Sequence, residues 1–144
     1  MQKTNKMKNK IQLPALLLLA AIVITGVSGC KKYPEGPMMS LKSRTERVAN
    51  NWKVDNCQLN GNDHTSFVSG YTESYTTDGD YSFNWGAFSG TGTWSFQNND
   101  NEIRVIGVDN QSSQTLYILK LEEKQFWYYI MNGNDKTEYH MIEQ

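Results

Sequence analysis

The feature that most constrains this chain is a rhythm that starts at Trp52: runs rich in aromatic and β-branched residues, separated by short clusters of Asn, Asp, Gly and Ser. Branched and aromatic side chains fit a pleated, half-buried surface, and the separators supply turns. The rhythm predicts eight strands, over 52–60, 67–77, 80–86, 90–97, 102–108, 114–121, 125–131 and 136–143. Asp78-Gly79 is expected to form a two-residue hairpin turn, its glycine accepting a positive φ. Asn98 to Asn101, Asp109 to Ser113 and Asn132 to Asp135 suit longer loops. Connections this short force sequential neighbours to pair antiparallel. An up-and-down meander follows, and closing it into a barrel removes the exposed edges.

Alternation tells which faces are buried. Tyr81, Phe83 and Trp85 share one face of their strand, and Trp94 and Phe96 one face of the next, with Thr93, Ser95 and Gln97 opposite. Towards the C-terminus both faces turn apolar: Phe126, Tyr128 and Ile130 oppose Trp127, Tyr129 and Met131. The outer face there needs a cover, whether a helix, a second copy or a partner. One helix is expected, over 41–49, with Ser40 able to cap it and Leu41, Thr45 and Val48 as a thin apolar stripe packing across one end of the strands.

The N-terminus has a different character. Lys3, Lys6, Lys8 and Lys10 precede a nearly unbroken apolar run from Ile11 to Val27, the pattern of an export leader. Pro14 and the small residues Gly26, Ser28 and Gly29 argue for a cleaved leader over a spanning helix. Val27-Ser28-Gly29-Cys30 resembles the bacterial lipobox, in which the cysteine is diacylglyceryl-modified and becomes the mature N-terminus. Three segments are therefore expected: a signal peptide over 1–29, a flexible tether over 30–40 rich in Pro and Gly, and a domain over 41–144. Acyl chains on Cys30 would hold the protein to a membrane, since each buried methylene adds about 0.8 kcal/mol. Cys57 is then the one thiol of the exported domain, read as a small buried hydrophobe. The leader takes four of the 14 basic residues and no acid, leaving ten against 15, a net charge of −5. No basic stripe remains to neutralise phosphates, so nucleic acid is excluded as a partner.

The order of signals resembles the lipocalin-like lipoproteins of Bacteroidetes-type bacteria. The resemblance rests on the lipobox cysteine, a short helix leading into the Trp52 strand, the GTGTWSF stretch from Gly90 to Phe96, and final amphipathic strands ending in Tyr139-His140-Met141. Asn50-Asn51-Trp52 lacks the glycine of the Gly-x-Trp that marks the first strand of true lipocalins. The resemblance implies a lipocalin-like eight-stranded barrel at the outer membrane. Lys31-Lys32, with Glu35 as the nearest acid, points to the periplasmic leaflet over the cell surface.

An eight-stranded barrel is just wide enough to be filled by side chains or to admit one small ligand. Each buried aromatic removes about 150–250 Å², roughly 4–6 kcal/mol gross, so core packing explains most of the rings. Two functional readings stay open. In the first, the barrel mouth takes a small apolar or aromatic ligand, a lipid or glycan fragment, with Trp52, Tyr81, Trp85 and Phe88 as candidate binding residues. In the second, the barrel is solid and the outer face of Trp127, Tyr129 and Met131 docks an envelope protein or a second copy. Catalysis finds no foothold: His64, His140 and Cys57 lack metal-ligand spacing, and no nucleophile or phosphate-loop motif is present, so neither enzyme nor cofactor is expected.

Overall fold

The computed structural model describes residues 33–34, 40–108 and 112–144. The expected leader, and Cys30 with the lipid attachment expected of it, lie outside the described residues. Helix α1 (Arg44–Val48) is followed by β1 (Asn51–Leu59), the two-residue β2 (Asn62–Asp63), a 3-10 turn (Thr65–Val68) and β3 (Thr72–Tyr75). Then come β4 (Asp80–Trp85), β5 (Phe88–Gln97), β6 (Glu102–Val108), β7 (Ser112–Leu121), β8 (Gln125–Asn132) and β9 (Asp135–Glu143). From β3 to β9 each strand pairs antiparallel with its successor, and β1 pairs with both β3 and β9. The sheet thus closes on itself as an eight-stranded antiparallel barrel, with β2 an extra strand folded back on β1.

The expected helix is shorter than its apolar stripe suggested. Ser43, not Ser40, caps it: the Ser43 hydroxyl accepts from the Glu46 amide at 3.2 Å while the Glu46 carboxylate accepts from the Ser43 amide at 2.7 Å. Leu41 lies outside the helix, fully exposed, so the stripe reduces in practice to buried Val48. Val48 still seals one end of the barrel, and the Trp52 indole donates to its carbonyl at 2.9 Å.

Three turns differ from expectation for backbone reasons, the first being Asn132 to Asp135, expected as a longer loop: Asn132 pairs with Asp135 across a two-residue Gly133-Asn134 turn with Gly133 at φ +61°. The expected 67–77 strand is only Thr72–Tyr75; the 3-10 turn and Gly70, at φ +80°, occupy its first half. Between β3 and β4 the Thr76 amide donates to the Asp80 carbonyl and the Gly79 amide to the Thr76 carbonyl. With Gly79 at φ +96° this is a three-residue hairpin loop, its glycine in the bulge position, and not the two-residue turn expected from Asp78-Gly79.

GTGTW has a packing reason. Gly90 pairs with Phe83, and a Cβ there would sit 2.4 Å from the Phe83 ring; a Cβ on Gly92 would sit 2.0 Å from the Ile106 carbonyl oxygen. Both strand glycines mark close approach across the barrel wall.

The lower half of the interior, at the helix end, holds Val48, Trp52, Tyr75, Trp94, Leu121 and Phe126. Trp52 meets Phe126 at 5.8 Å between centroids, and Tyr75 stands edge-on to both Trp94 and Phe126. Buried Cys57 is a free thiol whose pKa burial raises, with Asp63 adding to the shift.

Candidate functional site

At mid-height of the barrel the interior turns polar around one residue. Tyr71, Glu73 and Tyr75 alternate with Thr72 and Ser74, and their side chains turn inward. Glu73 is buried to 4% exposure, and its carboxylate accepts four phenolic hydroxyls. Tyr71, Tyr81 and Tyr128 donate to Oε1 at 2.8, 2.9 and 3.0 Å, and Tyr75 donates to Oε2 at 3.0 Å. Burial raises the Glu73 pKa and the four hydroxyls oppose that rise. The same burial, and then the Glu73 charge, push the phenols of Tyr71, Tyr75, Tyr81 and Tyr128 above their ordinary value. No ion pair to Glu73 exists among the described residues. Tyrosines therefore do the work a cation ordinarily would.

From this layer upward, away from the helix, the inward side chains are only half buried. Tyr71, Phe83, Ile130 and Tyr139 pack on the core yet keep partial exposure. Tyr71 lies 6.1 Å from Phe83 and 5.9 Å from Tyr139, and Tyr139 stacks on Tyr128 at 5.3 Å. At the rim, Trp85 and Phe88 flank the two-residue Gly86-Ala87 turn, with rings 6.2 Å apart and exposures of 40% and 69%. Phe67, 66% exposed, stacks on His64 at 4.2 Å. The arrangement can receive an apolar or aromatic body between rings, with phenolic oxygens beneath it.

The four sequence-predicted mouth residues do not form one cluster. Trp85 and Phe88 meet at the rim; Tyr81 belongs to the Glu73 layer and Trp52 to the sealed helix end. Sequence reasoning missed Glu73, which reads as one polar residue among Thr72, Glu73 and Ser74, although Tyr-x-Glu-x-Tyr at period two was a signal that the acid shares a face with two rings. Phe67 was missed because it was assigned to a strand.

On the outer face, Trp127 lies parallel to His140 at 3.9 Å with the Lys120 ammonium 3.8 Å from its ring centre. Tyr129 stacks on Tyr117 at 4.8 Å with the Lys136 ammonium 4.7 Å away. His140 Nε2 and Lys136 Nζ both contact Glu138, at 2.8 and 2.7 Å. These cross-strand ladders supply the cover that the apolar pattern called for. Met131 alone of the predicted docking trio stays open, at 48% exposure. The outer face of β3 to β5 is different in kind, a shallow hollow of about 360 Å³ rich in hydroxyls and amides from Thr72, Ser74, Ser82, Asn84, Ser89 and Thr91.

Among the described residues, no group of three or more His, Cys, Asp or Glu could hold a metal, and no helix is long and apolar enough to cross a membrane. No family model matches the chain, and no curated protein matches it.

Proposed function

We propose that this chain is a membrane-anchored, lipocalin-like lipoprotein that takes a small ligand with an apolar or aromatic body, a lipid or glycan fragment, into the open half of its barrel. The observation that carries this reading is an asymmetry. One end is sealed by Val48 and Trp52, while at the other Tyr71, Phe83, Ile130 and Tyr139 face inward and remain half exposed under the rim of Trp85 and Phe88. Burial of the ligand against those walls would supply the free energy, at about 25 cal/mol per Å² of apolar area, and the hydroxyl of Tyr139 would orient it. Anchoring through Cys30 would place the barrel in the outer membrane, in its periplasmic leaflet. Docking of a partner through Trp127, Tyr129 and Met131 has less support, because both large rings already stack within the ladder.

A naphthalene-class fluorescent probe tests the site. Saturable binding to the wild-type barrel is expected, weakened at least several-fold in Trp85→Ser/Phe88→Ser and unchanged in Met131→Ser. Equal binding by all three proteins would remove the mouth from consideration.

A further inference from the structure

Tyr33 stands only three positions after Cys30, inside the stretch whose Pro and Gly content predicts a flexible tether. Its ring is instead 2% exposed and belongs to the core cluster at the helix end. Its hydroxyl donates to the Asp100 carbonyl at 2.8 Å, in the β5–β6 turn. Arg44 of α1 pairs with the Asp100 carboxylate, so helix, turn and N-terminal segment meet at one point. Burial pushes the Tyr33 phenol up to about 12, with Arg44 and Arg47 pulling the other way. The chain is fixed to the barrel at residue 33.

Three residues span at most about 11 Å even when fully extended. An acylated Cys30 has its sulfur at the glycerol level of the headgroup layer, so the barrel's helix end cannot stand far from it. The neighbouring surface is polar and charged: Lys42, Arg44 and Arg47 line a hollow of about 460 Å³, with Lys42 3.6 Å from Glu123 and Arg44 paired with Asp100. Arg47, itself buried, has an Nε with no hydrogen-bond partner among the described residues.

We propose that Tyr33 clamps the anchored segment to the barrel, holding the helix end against phospholipid headgroups and the Trp85–Phe88 rim away from them. The barrel is then a fixed post, presenting its open mouth to the aqueous side. This orientation rests on the lipid-anchor reading, and the test separates the two.

The full-length lipidated protein, purified from membranes, is reconstituted into phosphatidylethanolamine/phosphatidylglycerol vesicles carrying a headgroup acceptor dye. Donor dyes are attached at Asp78→Cys, in an exposed helix-end turn, or at Asn134→Cys, in an exposed turn at the opposite end. β8 spans eight residues between these ends, roughly 26 Å of extended strand before tilt. Energy transfer should be at least twofold stronger from position 78 than from position 134. A six-residue Gly-Ser insertion between Lys31 and Lys32 should abolish that asymmetry, whereas the same insertion between Gly36 and Pro37 should leave it intact, because Tyr33 lies between the two sites. Tyr33→Phe, which keeps the ring, should also keep it. Equal transfer from both positions in the parent, or equal sensitivity to the two insertions, overturns the clamp. Failure of the parent protein to associate with vesicles, matched by Cys30→Ser, overturns the anchor instead.

Discussion

Removing one oxygen from Tyr75 should expose the energetics of the buried carboxylate. The Tyr75 hydroxyl is, among the described residues, the one donor to Glu73 Oε2, at 3.0 Å, whereas Oε1 receives three. Tyr75→Phe keeps the ring and its edge-on contacts with Trp94 and Phe126, and so isolates the hydrogen bond. A hydrogen bond to a charged group contributes about 1.5–3 kcal/mol, and here its loss leaves a buried carboxylate oxygen without a donor. Tyr128→Phe removes one of three donors to Oε1 and should cost less, about 1 kcal/mol, because two remain. At about 4–8 °C per kcal/mol for a domain near this size, Tyr75→Phe should lower Tm by on the order of 10 °C. The pH dependence has a defined sign. Because burial raises the Glu73 pKa, the folded state holds the proton more firmly than the unfolded chain, so this residue's contribution is greatest below the unfolded value and is lost as pH rises through the folded one. Deleting a donor to the charged form deepens that loss. Urea unfolding followed by tryptophan fluorescence should therefore show a larger defect for Tyr75→Phe at pH 8 than at pH 4. A defect independent of pH, or a larger one for Tyr128→Phe, would refute the reasoning.

The wall glycines give a graded pair. Gly90→Ala meets a Phe83 ring that can swing aside and should cost about 1–3 kcal/mol, whereas Gly92→Ala meets the backbone oxygen of Ile106 and should cost more, measured by denaturant midpoint. Trp94→Ala should cost about 3–5 kcal/mol, since the ring is buried and its indole donates to the Thr76 carbonyl at 2.9 Å; a variant of wild-type stability would contradict that placement. Cys57, buried with a raised pKa, should resist iodoacetamide at pH 8 until urea unfolds the barrel, and alkylation at the rate of a free thiol would contradict its burial.

Strand number and antiparallel order were legible because period-two alternation and turn residues are local signals. Tyr81 with Phe83, and Trp94 with Phe96, announced their shared faces within a few residues. Closure came from the β1–β9 pairing, which spans nearly the whole domain and has no local mark. Glu73 was hidden for a related reason. Its meaning lies in Tyr128, 55 residues on, and in Tyr81 across a hairpin, so in sequence it looks like a solvated acid between Thr72 and Ser74. Tyr33 was masked by its neighbours: Pro34, Gly36 and Pro37 read as a free linker, and the ring's destination, the Asn98 to Asn101 turn, is far along the chain. At the mouth, aromatic composition pointed to four residues, but only the hairpin partners Trp85 and Phe88 share a place.

Native mass spectrometry of the barrel purified gently from its own host tests the central claim most directly. The proposed function predicts an adduct of lipid or glycan-fragment mass on the monomer, lost in Trp85→Ser/Phe88→Ser. A bare mass from fully folded protein, with no adduct under any gentle condition, would contradict it.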